Sequence, residues 1–154
     1  MKKVIVIFFM LMVATYSVTI EVYASSVEEN EAYMAEAKAA TVTVRKKLPL
    51  VGDYLEQTYI NLQYCKFKME LGENLLQCID DAREITTSHF KKALSESKNK
   101  NIRQALKEHH LQFTTALNGI RPEPEELKID YYRRQAMLRG AFFKTLARFD
   151  VELY

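Results

Sequence analysis

Most of the reactive chemistry this chain could offer rests on five side chains: Cys65, Cys78, His89, His109 and His110. No histidine sits in C-x-x-C-H, H-E-x-x-H or another spacing that builds a haem or metal centre. His109 falls in register with Ile102, Leu106 and Phe113, so it reads as a hydrogen-bonded core residue rather than a ligand. His89 and His110, on neighbouring predicted helices, would make a weak metal pair at most. Exported four-helix haem bundles have this size, yet the last predicted helix carries no histidine to serve as an axial ligand. No metal or cofactor is therefore expected.

Catalytic patterns fare no better. Serine and aspartate occur without a G-x-S-x-G elbow, and no glycine-rich phosphate loop is present. The paired acids Asp80-Asp81 and Glu125-Glu126 are adjacent in sequence, and adjacent helical side chains point apart instead of facing a substrate together. The expectation is a non-enzymatic protein.

The two cysteines frame C-K-F-K-M-E-L-G-E-N-L-L-Q-C. At about 1.5 Å per residue an unbroken helix would hold their Cα atoms roughly 20 Å apart, whereas a disulfide needs less than about 7 Å. Folding the chain back at Leu71-Gly72-Glu73-Asn74, the midpoint, sets Cys65 opposite Cys78 on two antiparallel helices. The pair then staples a helical hairpin. A redox role would more naturally use C-x-x-C, which is absent.

An oxidising destination is implied by the first 24 residues. Lys2 and Lys3 precede an apolar run from Val4 to Val18, and Val22-Tyr23-Ala24 supplies a small-residue site. These are the n-region, h-region and cleavage site of a secretory signal peptide over 1–24, with cleavage after Ala24. Retention as an anchor is the alternative, since Val4 to Ile20 approaches the ~20 residues of a span. No cysteine at the junction offers a site for lipid attachment. Residues 25–154 make one domain's worth of chain, periplasmic or secreted.

The formal charge of +2 gives no global drive toward nucleic acid or anionic lipid. Its distribution is uneven: Glu28, Glu29, Glu31 and Glu36 lie early, and Lys91, Lys92, Lys98, Lys100, Arg103 and Lys107 in the middle. Solvated helical surfaces give the same pattern.

With few glycines and prolines, the chain reads as all-α, an antiparallel helical bundle of four to five helices. A first helix over about 27–47 stops at Leu48-Pro49. A second starts near Asp53 as N-cap, with the stripe Leu55, Thr58, Leu62, Cys65 and Met69. A third carries Leu75, Cys78, Ile79, Ala82, Ile85, Phe90 and Leu94 up to a polar break at Ser95–Asn101. The fourth closes at Asn118-Gly119, where a left-handed stop is expected. A stiff R-P-E-P-E-E-L connector, with Pro124 in the first turn, leads into the last helix, whose stripe is Leu127, Tyr131, Leu138, Phe142, Leu146 and Phe149.

Tyr54, Tyr59, Tyr64, Phe67, Tyr131, Tyr132, Phe142 and Phe143 exceed one stripe per helix. Some of them belong on the surface, or else the core is wide enough to take the flanks of each stripe. On the last helix Tyr132, Arg133, Arg139, Phe143 and Lys144 flank the buried stripe and are the candidate partner-binding residues, because tyrosine, phenylalanine and arginine anchor protein interfaces. The functional expectation is an exported domain that binds and blocks another protein, such as a periplasmic inhibitor or immunity protein. A periplasmic carrier of a small ligand, metal or haem is the alternative. The sequence is compatible with a homo-oligomer and, after signal cleavage, points to neither nucleic acid nor membrane.

Overall fold

A computed structural model describes residues 44–152, with side chains through Phe149. The expected signal peptide and most of the expected first helix lie outside the described residues. Following a helical turn at 44–47 come α1 (Pro49–Glu70), α2 (Leu75–Glu96), α3 (Lys100–Asn118) and α4 (Lys128–Glu152). Cross-contacts fix their directions. Arg83 reaches Asn118 and Phe90 stacks on His110, so α2 and α3 are antiparallel. His109 meets Thr145 and Glu108 meets Arg148, so α3 and α4 are antiparallel as well. Tyr59 against Phe143 and Met69 against Tyr131 do the same for α1 and α4. The result is an up-down-up-down bundle.

The hairpin forms where the sequence places it. Cys65 and Cys78 are bonded with Cα atoms 5.6 Å apart. Gly72 adopts φ +70°, which glycine tolerates because it lacks a Cβ. Its N–H donates to Met69 O and that of Glu73 to Lys68 O, closing α1 with the paired bonds of a Schellman turn. Asn74 then caps α2 by accepting from the Gln77 N–H at 3.2 Å.

Three expected boundaries move. Asp53 does not cap α1, because Pro49 takes the first helical position, where its missing N–H costs nothing. Leu48 offers no side-chain acceptor, and the cap comes from a distance: Glu96, at the end of α2, accepts from the Val51 N–H at 2.9 Å. The second difference is at Gly119, which sits at φ −74° rather than in the left-handed region. A Cβ there would meet the Leu138 δ-methyl at 2.3 Å, so a larger residue would require the Leu138 side chain to shift. The freed Gly119 carbonyl accepts from Arg134 Nη1 at 2.7 Å and from Gln135 Nε2.

Third, α4 begins at Lys128, not near Pro124. Glu125 turns to φ 64°, and Glu126 accepts two bonds from the Arg134 guanidinium, at 2.7 and 2.6 Å. Such a fork-to-fork pair holds the connector against α4. Leu127, expected in the core, is 66% exposed as a consequence. Ile85 also faces outward, and Thr86 takes its place inside. The core itself is built around Phe113, Phe142, Phe149, Leu106, Leu117 and Leu146.

Candidate functional site

The five residues expected to bind a partner do not form one surface. Phe143 is fully buried, in ring contact with Phe142 at 5.3 Å and Tyr59 at 6.2 Å. This corrects its placement on the flank: the Phe143 ring is turned into the core, where Phe142 and Tyr59 meet it. Arg139 is half-buried, its guanidinium 5.9 Å from the Phe143 ring. Tyr132, Arg133 and Lys144 are exposed. Tyr132 lies under the Lys128 ammonium, and Arg133 pairs with Asp130 at 3.7 Å. At about 100° per residue, Tyr132 points to a different side of α4 from Arg133 and Lys144.

A more coherent surface lies on α1. Ile60, Tyr64, Phe67 and Leu71 are 48%, 51%, 54% and 55% exposed. Their 4-3-4 spacing places them in one row on the helix, opposite the buried row Val51, Leu55, Thr58, Leu62 and Cys65. Thus α1 is apolar on two sides, of which the bundle consumes one. The signal was present in the sequence as the surplus of Tyr64 and Phe67, but a second apolar row cancels the helix's amphipathic signature. The disulfide and the Lys68–Glu73 ion pair fix the end of α1 that carries Phe67 and Leu71.

No protein-family model, curated protein or solved structure matches the chain.

Behind that surface, a polar network crosses the bundle. His109 is fully buried on α3, with Nε2 2.9 Å from Thr58 Oγ1 on α1 and Nδ1 2.9 Å from Thr145 Oγ1 on α4. A neutral imidazole has one N–H, so one threonine accepts from the ring and the other donates to it. The expectation of a hydrogen-bonded core histidine is met. His110 is half-buried, stacked on Phe90 at 4.2 Å, with Nδ1 3.0 Å from the Tyr54 hydroxyl. Burial raises the Tyr54 phenol, which stays protonated and shares one hydrogen bond with that nitrogen, its donor set by the imidazole tautomer. Among the described residues no group of three or more histidine, cysteine or acidic side chains is placed to hold a metal ion.

The buried imidazole sets a pH dependence. Burial, with a smaller contribution from His110, pushes His109 down from 6.5 to about 3. The unfolded chain binds a proton that the folded one refuses, so the contribution of neutral His109 is complete above about pH 6.5. It is lost at about 1.4 kcal/mol per pH unit as pH falls toward 3. Urea unfolding at pH 7, 5.5 and 4.5 reads this slope, and His109→Gln should flatten it. An unchanged slope in that variant would show that His109 does not set it.

Proposed function

We propose that this is an exported, non-enzymatic domain that binds another protein of the cell envelope or exterior and blocks it, in the manner of an inhibitor or immunity protein. The observation that carries the reading is the row Ile60, Tyr64, Phe67 and Leu71 on a disulfide-tied helix. Rows of partly exposed aromatic and aliphatic side chains at helical spacing fit an apolar helix or ridge on a partner. The disulfide matches an oxidising compartment, and none of the described helices is long and apolar enough to cross a membrane.

The test is recovery of partners from the host's own envelope fraction with the oxidised protein, beside a Tyr64→Ala, Phe67→Ala variant. A stoichiometric protein held by the wild type should be lost from the variant, with binding weakened by about 2 kcal/mol or more per anchor and the unfolding midpoint nearly unchanged. A partner retained equally by both would remove α1 from the interface, and a retained small molecule without protein would favour a carrier.

A further inference from the structure

We infer that the side of the bundle shared by the end of α2 and the start of α3 docks on an anionic lipid surface through Lys91, Lys92, Lys98, Lys100 and Lys107. This does not depend on the outer row of α1 binding a partner. The net charge of +2 is too small in sum to draw the chain to such a surface, but the fold separates the charges. Toward the opposite end of the bundle cations sit beside acids: Lys68 pairs with Glu73, Arg83 with Asp80, Arg133 with Asp130 and Arg134 with Glu126. Between Thr86 and Lys107 the single acidic side chain is Glu96, and it is turned to accept from the Val51 N–H. The five lysines are exposed, and among the described residues none of their ammonium groups has an ion-pair or hydrogen-bond partner.

The two helices bring these residues to one surface. Phe90 stacks on His110 and Arg103 donates to the Leu94 carbonyl, so the last turns of α2 lie against the first turns of α3. Side chains two residues apart on a helix point to nearly opposite sides, about 200° round the axis. Lys91 is thus turned away from buried Ala93, Lys100 from buried Ile102, and Lys107 from buried Ala105 and His109. All three project from the outer face of the α2–α3 pair, with Lys98 on the link between the helices. Each helix touches the next, and Tyr59–Phe143 returns α4 to α1, so this side lies across the bundle from the side shared by α1 and α4. A protein docked through these lysines keeps Ile60, Tyr64 and Phe67 pointing away from the lipid.

The type of cation selects the ligand. Lysine is depleted in protein interfaces, where arginine and aromatic rings are favoured. The one arginine in this stretch, Arg103, is turned to the carbonyls of Leu94 and Ser97. No large apolar or aromatic side chain between Thr86 and Lys107 is exposed, either to stack on nucleic-acid bases or to insert among acyl chains. The lysines stand instead among exposed Ser88, Ser95, Asn99 and Asn101. Hydrated ammonium groups on flexible stems suit a diffuse, laterally mobile array of phosphate headgroups, to which each adds attraction without insertion.

Vesicle co-sedimentation tests the assignment on the oxidised protein purified from an exporting host, so that Glu28, Glu29, Glu31 and Glu36 are present. Vesicles of phosphatidylcholine containing phosphatidylglycerol should retain the protein at low salt, and raising the salt should release it. Vesicles of phosphatidylcholine alone should not retain it. A Lys91→Gln, Lys100→Gln, Lys107→Gln variant should be retained about tenfold more weakly or less, with its unfolding midpoint unchanged. An Arg121→Gln, Lys128→Gln, Arg133→Gln variant, which removes equal charge from the other end of the bundle, should bind nearly as the wild type does. Equal losses in the two variants, equal retention by neutral vesicles, or no retention by anionic vesicles at low salt overturns the inference. So does capture by a single-stranded oligonucleotide with none by the vesicles.

Discussion

Replacing Phe143 with alanine should lower folding stability by about 3–5 kcal/mol. The side chain is fully buried, and its ring touches Phe142, Tyr59 and the Arg139 guanidinium. Truncation removes these contacts and opens a cavity that the rigid helices cannot close. Urea denaturation followed by circular dichroism measures the loss. Tyr132→Ala provides the comparison: this side chain is 47% exposed, and its removal should cost less than about 1 kcal/mol. Equal midpoints for Phe143→Ala and the wild type would place Phe143 outside the core after all.

Removing the disulfide should be nearly as costly. Bonding Cys65 to Cys78 closes a short loop, and in the chain-entropy description that constraint is worth about 3 kcal/mol. The Cys65→Ala, Cys78→Ala protein should unfold at a Tm lower by on the order of 10 °C. Reducing the wild type with dithiothreitol should shift its midpoint by a similar amount. The helices themselves should survive in native buffer, because the Schellman turn at Gly72 and the Asn74 cap hold the hairpin independently of the bond. If reduction leaves the midpoint in place, the bond contributes no net stability to the fold.

Both predictions bear on the outer row of α1. Cys65 lies on the buried side of the helix that carries Ile60, Tyr64 and Phe67 outward, so loosening the staple should blunt that surface as well as the fold. The Tyr64→Ala, Phe67→Ala variant separates the two effects, since it alters the surface while sparing the core.

Some of this was legible from local chemistry. The turn at Leu71–Asn74 follows from a glycine at the midpoint of a cysteine pair, and the core position of His109 follows from its spacing with Leu106 and Phe113. Both rest on interactions within a few turns of helix. The start of α1 was misplaced because Asp53 resembles a cap, whereas the acceptor is Glu96, on the next helix. Gly119 was read as a left-handed stop, whereas it stays in the right-handed region with the Leu138 side chain of α4 packed closely on it. The Arg134–Glu126 clamp was missed because it spans the connector and the following helix, with no local pattern to announce it.

By itself, then, the sequence determined the helical segments, the hairpin and the pairing of its cysteines, because hydrogen-bonding period, glycine conformation and chain connectivity act over short separations. Only the tertiary structure decided which of α1's two apolar rows is buried, and that Phe143 belongs to the core while Tyr132 does not. A helical period states which side chains share a face. Which face is covered depends on the helix that packs against it, and that contact is made by residues far along the chain.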